Sequence, residues 1–160
     1  MTDGRIPCGG LLQRDGLIAV ELLGVAWRGR EACGVLARFA GAGIPLLFLQ
    51  VGAAADGRKA LTLGMNDGER ERCLEVLASI RNDRTPPEIA VVEPAAVLTL
   101  YGPHFGERTG LSLGVAEALG GADVDVIALG SSVNSISLLL RAADAVRARE
   151  ALRARFHWPE

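Results

Sequence analysis

Residues 122–152, ADVDVIALGSSVNSISLLLRAADAVRAREAL, contain the pattern that decides the fold. An apolar run, 124–129, is followed by a turn rich in Ser and Asn and by a second apolar run, 135–140. Short apolar runs separated by turn residues predict two strands joined by a hairpin. The next stretch, 144–156, carries apolar residues at helical spacing with Arg and Glu between them, which predicts an amphipathic helix.

The same succession occurs in the first half of the chain. Residues 60–77 align with 135–152, and residues 18–52 align with 98–132, with similar apolar patterns but few identities. The matched pairs are Arg28 with Arg108, Gly34 with Gly114, Val35 with Val115, Gly41 with Gly121, Ala42 with Ala122, Leu49 with Leu129, Leu63 with Leu138, Glu75 with Glu150 and Leu77 with Leu152. Two copies of one supersecondary unit explain this agreement.

Each copy is predicted to contain strand, helix, strand, strand and helix. The predicted strands are Ile18–Leu23, Ile44–Val51 and Ala60–Met65 in the first copy, and Val97–Tyr101, Val124–Leu129 and Ser135–Leu140 in the second. The first helix has apolar residues at i, i+3, i+4 and i+7, namely Ala32, Val35, Leu36 and Phe39. The second helix is predicted over 68–81 in the first copy and over 144–156 in the second.

A fourth strand completes each copy in a different way. In the first copy, Ile89–Glu93 follows the second helix and supplies it. The second copy ends directly after its last helix, so its sheet would keep an open edge, and Ile6–Gln13 is the unassigned segment that can cover it. We therefore predict an α+β fold of two ferredoxin-like βαββαβ units, over 14–95 and 96–160, with 5–13 as the closing strand of the second.

Composition excludes several classes of function. The formal net charge of −2 argues against a nucleic-acid surface, and no apolar run approaches the length that spans a membrane. Three cysteines without C-x-x-C spacing indicate neither a disulfide framework nor a zinc site. The N-terminus lacks the pattern of a secretion signal. These features predict a cytoplasmic protein without metal or cofactor.

No recognisable catalytic constellation is present. His104 and His157 have no neighbours at metal-ligand spacing, and the serines of 131–135 lack the G-x-S-x-G context of a nucleophile. In a hairpin, Ser and Asn serve the geometry of the turn. The glycine pairs match no phosphate-binding motif.

Several segments together resemble the paired ACT domains in the regulatory portion of aspartokinases. GPHFGERTG, 102–110, resembles that family's G-x-G-M-x-x-x-P-G turn, and 122–140 resembles its strand, Ser-rich turn and Ile-Ser strand. AGIPLLFLQVGAAADGRKALTLGM, 42–65, resembles its Gln-bearing strand and D-G hairpin. The resemblance covers residues 5–156, and the chain has the length of a kinase-free regulatory subunit.

The resemblance implies an amino-acid sensor that forms a homodimer and regulates a catalytic partner subunit. In that family the ligand lies between repeats, against the first strand-to-helix turn, the Gln of the second strand and the start of a second strand in the facing repeat. The corresponding residues are Ala26, Trp27, Arg28, Gly29, Arg30, Glu31, Ala32, Gln50, Asp123, Val124, Asp125 and Val126.

The first turn departs from the family pattern D-x-P-G. Trp27 replaces its acidic residue, and Arg30 replaces the glycine that lets a ligand approach the backbone. Arg28 and Arg30 would favour an acidic ligand. Two alternatives to the sensor therefore stay open. One is an interaction subunit without ligand, and the other is an enzyme that uses Trp27, Arg28, His104 and Asp125.

Overall fold

The computed structural model describes residues 4–53, 56–103 and 105–159. Over these residues, the strands and α-helices follow one another in the order predicted from the repeat. Short 3-10 turns precede α2, α3 and α4. The elements are β1 (Ile6–Pro7), β2 (Gly10–Val25), α1 (Glu31–Gly41), β3 (Phe48–Ala53), β4 (Lys59–Asn66), α2 (Arg70–Arg81), β5 (Glu88–Tyr101), α3 (Leu111–Gly121), β6 (Ala128–Ser131), β7 (Ser135–Arg141), α4 (Ala145–Arg155) and β8 (Phe156–His157).

The chain forms two compact units that are discontinuous in sequence. The first unit is Gly16–Pro94, and the second is Met1–Asp15 together with Ala95–Glu160. Both boundaries lie inside strands, because Gly16 belongs to β2 and Pro94 belongs to β5. This α+β architecture of two βαββαβ units confirms the predicted fold class.

The first unit has the strand order β3-β4-β2-β5. Antiparallel pairing sets Val20 of β2 opposite Leu63 of β4, and Leu63 opposite Leu49 of β3. Alternate residues of β2 enter a core that also contains one face of α1 and one face of α2. From the helices, that core receives Ala32, Val35 and Phe39 of α1 and Cys73, Val76, Leu77 and Ile80 of α2.

The same unit holds a bidentate ion pair between α1 and the end of α2. Nη1 and Nη2 of Arg38 donate to the two carboxylate oxygens of Asp83 at 2.9 and 2.7 Å. These hydrogen bonds hold the pKa of Asp83 below its ordinary value of 3.8. The ionised form is thereby favoured in the folded chain.

We expect Asp83→Asn to lower the melting temperature at pH 7, because the variant loses the charge-assisted pair. A depressed folded-state pKa stabilises above the unfolded pKa, and this stabilisation disappears as the pH falls through the folded value. The melting-temperature difference from wild type should therefore shrink below about pH 3.8. Calorimetric scans of both proteins from pH 7 to pH 3 would measure it, and a pH-independent difference would contradict the pair as its cause.

The second unit has the strand order β6-β7-β5-β2 and is closed by the N-terminal part of the chain. Leu98 of β5 faces Leu138 of β7, which faces Leu129 of β6. At the start of the chain, β1 pairs in parallel with β8, so that Ile6 lies beside Phe156. The N-terminal segment thus belongs to this unit as predicted, but the predicted strand Ile6–Gln13 is divided: β1 forms a separate two-stranded sheet with β8, and residues from Gly10 onward belong to β2, the neighbour of β5 in the main sheet.

Two predicted strands begin later than expected. The structure starts β3 at Phe48 rather than Ile44, and β6 at Ala128 rather than Val124. The backbone N–H groups of Ile44 and Val124 instead donate to carbonyls of the preceding helices, at 3.0 Å each. Both residues are buried next to the end of a helix. Their apolar character alone made them resemble strand residues in the sequence.

Two glycines at equivalent positions of the repeats, one in α1 and one in α3, differ in their surroundings. A Cβ added to Gly34 of α1 would meet nothing within 4 Å, whereas one added to Gly114 of α3 would lie 2.9 Å from Cδ1 of Ile6 and 3.3 Å from Cζ of Phe156. Gly114 therefore leaves the room that the N-terminal segment occupies.

We expect Gly34→Ala to raise the free energy of unfolding by about 0.5–1 kcal/mol, because alanine is the better helix former. Gly114→Ala should lower it, because overpacking costs about 1–3 kcal/mol and outweighs that gain. Urea unfolding of both variants would measure the contrast. Equal stabilisation by the two substitutions would show that the N-terminal segment does not press on Gly114.

Candidate ligand-binding site

The turn between β2 and α1 in the first unit is open to solvent. The side chain of Trp27 is 48% exposed, and Arg28, Gly29 and Arg30 are exposed as well. The turn closes through the amide of Ala32, which donates to the carbonyl of Ala26 at 3.2 Å. Within the described residues, the side chains of Arg28 and Arg30 have no hydrogen-bond or ion-pair partner, while the backbone carbonyl of Arg30 accepts from the amide of Gly34 at 2.7 Å.

More positive charge lies at the end of β2. Nη1 of Arg58 donates to the carbonyl of Gly24 at 3.3 Å, and Lys59 faces Val25 across the strand pair. Arg58 also bonds Asp56 at 2.6 Å, which holds the pKa of that carboxyl below its usual value. The region beside the turn is therefore cationic, and a basic ligand would be repelled there.

The other predicted residues of the first unit are less accessible. Glu31 is the partly exposed first residue of α1, where a negative charge favours the helix. Ala32 is buried in the core, so only its backbone can meet a ligand. Gln50 is half-buried on β3, directly opposite Thr62 of β4.

The predicted residues of the second unit lie between α3 and β6, not in a strand. Asp123 adopts a left-handed backbone with φ 53°, and its carbonyl accepts from Nη2 of Arg147 at 3.0 Å. Val124 is buried in the core, and Val126 packs against it. Asp125 is exposed, and one carboxylate oxygen accepts from the amide of Val126 at 2.9 Å. Of these four, Asp123 and Asp125 are exposed to solvent.

The second unit contains a cavity of about 280 Å³ at the beginning of α3. Its polar side chains come from three segments: Arg108 precedes the helix, Ser112 lies in its first turn, and Ser131 and Ser132 lie in the β6–β7 hairpin. The remaining lining residues are Phe105, Gly110, Leu111, Leu113 and Ile136. Among the described residues, its wall contains a cation and hydroxyl groups but no carboxylate.

This cavity occupies the repeat equivalent of the first-unit turn, because Arg108 corresponds to Arg28 and Gly110 to Arg30. Gly110 has φ 84° and precedes α3 without a capping side chain. The predicted site did not include these residues. The sequence alignment of the two copies could have indicated them, since directly before the helix it gives the second turn a glycine, Gly110, where the first turn has Arg30.

The hairpin serines hold the turn, as predicted from their composition. Oγ of Ser132 donates to Oδ1 of Asn134 at 3.0 Å and lies 2.9 Å from Oγ of Ser135. The hairpin is tied to the segment before α3, because the amide of Gly106 donates to the carbonyl of Val133 at 2.8 Å. The walls of the cavity are thus connected to each other by backbone hydrogen bonds.

The side chains suggested for an enzyme are not assembled in one unit. Trp27 and Arg28 belong to the first unit and Asp125 to the second, while His104 lies outside the described residues. Among residues 4–53, 56–103 and 105–159, no three His, Cys, Asp or Glu side chains could hold a metal ion together. None of the helices in these ranges is long and apolar enough to cross a membrane.

No protein-family model matches the sequence, and no curated protein does. Solved structures do match. The regulatory subunit of aspartate kinase from Thermus flavus superposes with a TM-score of 0.82 at 17% identity, over 94% of this chain and 99% of that one. The fold is that of an aspartate kinase regulatory subunit.

Other structures with this regulatory fold agree. The ligand-free regulatory subunit of aspartate kinase from Thermus thermophilus gives the same TM-score, identity and coverage. E. coli aspartokinase III, in complex with lysine and aspartate, matches with a TM-score of 0.65 at 15% identity, over 98% of this chain and 35% of that one. The regulatory fold therefore accounts for nearly the whole chain, as the sequence resemblance implies.

Proposed function

We propose that this chain is a non-catalytic regulatory protein that binds a small amino acid or a related small acid. The observation that carries the proposal is the cavity before α3, which the regulatory fold builds from a strand-to-helix turn and a hairpin. Its volume of about 280 Å³ lies below the range typical of drug-sized ligands and suits a small metabolite.

The charges favour a ligand that presents a carboxylate. Arg108 and three hydroxyl groups line the cavity, and the amides of the first turn of α3 begin beside it. Guanidinium and helix N-terminal N–H groups both favour anions. The first-unit turn is the second candidate location, because Arg28 and Arg30 present the same preference there.

The proposal includes partners by analogy with the structural neighbours. One of them is a structure of aspartokinase alpha and beta subunits, which matches this chain with a TM-score of 0.81 at 15% identity. We propose a homodimer that acts on a catalytic subunit in the cytoplasm. Gln50 and the segment Asp123–Val126 remain proposed contacts for a ligand at the second candidate location, the first-unit turn.

A calorimetric titration of the purified chain with each common amino acid tests the proposal. Arg108→Ala should weaken binding at least about tenfold, the effect of losing a charged hydrogen bond, if the ligand lies in the cavity. Arg28→Ala is the matched variant, at the equivalent position of the other repeat, and should leave that binding unchanged. The opposite result would assign the ligand to the first turn. No heat from any amino acid would contradict the sensor.

A second candidate function is that of a subunit that docks on a partner without binding a ligand. The exposed Trp27 and the unpartnered Arg28 and Arg30 favour it, because Trp and Arg are enriched at protein interfaces. Co-purification of a larger protein with the wild type, but not with a Trp27→Ala and Arg28→Ala double variant, is the expected result. A stable homodimer that captures no partner would count against it.

A further inference from the structure

The first described residues of the chain form a strap, residues 5–9, that is fastened to the end of the same unit. Ile6 and Pro7 pair with Phe156 and His157 in parallel. The amide of Cys8 donates to the carbonyl of His157 at 2.8 Å, and that of Gly9 donates to the carbonyl of Tyr101 at 2.7 Å. The strap is thus held by backbone hydrogen bonds on both sides.

One side chain connects this strap to the cavity. Arg108 is one of the residues that line the cavity, and its Nη1 donates to the carbonyl of Pro7 at 2.7 Å. The strap and any anion in the cavity therefore compete for the same cation. A carboxylate is the stronger acceptor for a guanidinium, because it adds the attraction between two full charges and can accept two parallel N–H bonds, whereas the Pro7 carbonyl is neutral.

The other repeat shows the surroundings of the equivalent arginine where no strap is present. Arg28, the equivalent of Arg108, has no partner among the described residues, and Gly34 has nothing packed against it where Gly114 meets Ile6. The contact between guanidinium and carbonyl is therefore specific to the second unit.

We propose that Arg108 couples the cavity to the strap, so that an anionic group entering the cavity withdraws the guanidinium from Pro7 and loosens the strap from β8. This inference rests on the proposed function, since it describes how binding of a ligand in the same cavity changes the attachment of the strap. The N-terminal segment is the element whose attachment changes.

Cys8 reports the state of the strap. It lies half-buried next to the pairing with His157, whereas Cys33 is exposed and Cys73 is buried. Burial raises the pKa of the Cys8 thiol, and the positive charge of Arg108 opposes that rise. Because the thiolate is the reactive form, release of the strap speeds labelling of Cys8, whereas loss of the Arg108 charge alone would slow it.

A carboxylate introduced into the cavity tests the coupling without a ligand. Ser112→Asp should raise the rate of maleimide labelling at Cys8 at least about tenfold relative to Cys33, the factor expected for one lost hydrogen bond from a charged donor. Ser112→Asn is the neutral control of matched shape and should leave the rate unchanged. Arg108→Ala releases the strap but also removes a charge that favours the Cys8 thiolate, so amide exchange at Cys8 and Gly9 is its readout and should accelerate. Ser112→Asp added to Arg108→Ala should have no further effect.

An unchanged Cys8 rate in Ser112→Asp would overturn the coupling, and so would an effect that adds in full to that of Arg108→Ala. Ser131→Asp, on the opposite wall of the cavity, repeats the test if the first variant does not fold. Amide exchange at Cys8 and Gly9 provides a second readout. Failure of the calorimetric screen would contradict the proposed ligand and leave these variant results standing, so the two failures are distinguishable.

Discussion

Phe156→Ala is expected to lower the free energy of unfolding by about 3–5 kcal/mol, the range for removing a buried Phe side chain. The ring is fully buried in the core of the second unit, beside the pairing with Ile6. Its loss removes apolar contacts and leaves a cavity that the surrounding helices and strap can fill only in part. The free energy of unfolding of most domains is about 5–15 kcal/mol, so this variant should unfold at a much lower urea concentration.

Urea unfolding followed by circular dichroism measures the effect. Phe156→Leu should cost much less, because it keeps most of the apolar volume. Val146→Ala, on the exposed face of α4, is the control, since that side chain is 65% exposed and its loss should change stability by less than about 0.5 kcal/mol. A cost below about 1 kcal/mol for Phe156→Ala would show that the end of the chain does not belong to the core.

Gly102→Ala is expected to lower the free energy of unfolding by about 1–3 kcal/mol through overpacking. An added Cβ would lie 2.9 Å from the backbone nitrogen of Gly9 and 2.7 Å from Cε1 of the buried Phe105. Neither neighbour is the free end of an exposed side chain, so the strap itself must move. Labelling of Cys8 should therefore accelerate together with the loss of stability.

Gly130→Ala is the matched control for this substitution. Gly130 lies in β6 of the same unit, and a Cβ there would meet nothing within 4 Å. It should leave both stability and Cys8 labelling close to wild type. If Gly102→Ala behaved in the same way, the close approach between Gly9 and Gly102 would not constrain the strap.

The helices could be predicted from the sequence because their signal is local. The two copies align at an offset of 80, and the observed helices α1 (Glu31–Gly41) and α3 (Leu111–Gly121) differ by that same offset. Apolar residues at i, i+3 and i+7, such as Ala32, Val35 and Phe39, are buried as the period requires.

The starts of two strands could not be predicted in this way. Ile44 and Val124 are apolar and buried, but their amides bond to the preceding helices. Hydrophobicity records burial and does not distinguish a buried connection from a strand. The backbone partner decides between them, and that partner depends on the geometry of the helix end.

The candidate site was predicted only in part. The sequence indicated the turn at Ala26–Ala32 and the importance of the strand-to-helix position, but it did not indicate the cavity at Arg108. The contact between Arg108 and Pro7 joins residues that are 101 positions apart, and no local sequence pattern predicts it. The cavity could have been predicted only from the comparison of the copies, in which Arg30 of the first turn aligns with Gly110 of the second.

The pairing of Ile6 with Phe156 also determines the order in which the protein can fold during synthesis. A ribosome delivers Gly16–Pro94, a complete unit, before most of the second unit has been made. Residues 5–9 must then wait until β8 has been made, because their partner strand β8 follows α4. We expect residues 5–9 of the nascent chain to stay open to proteases and modifying enzymes until β8 has been synthesised.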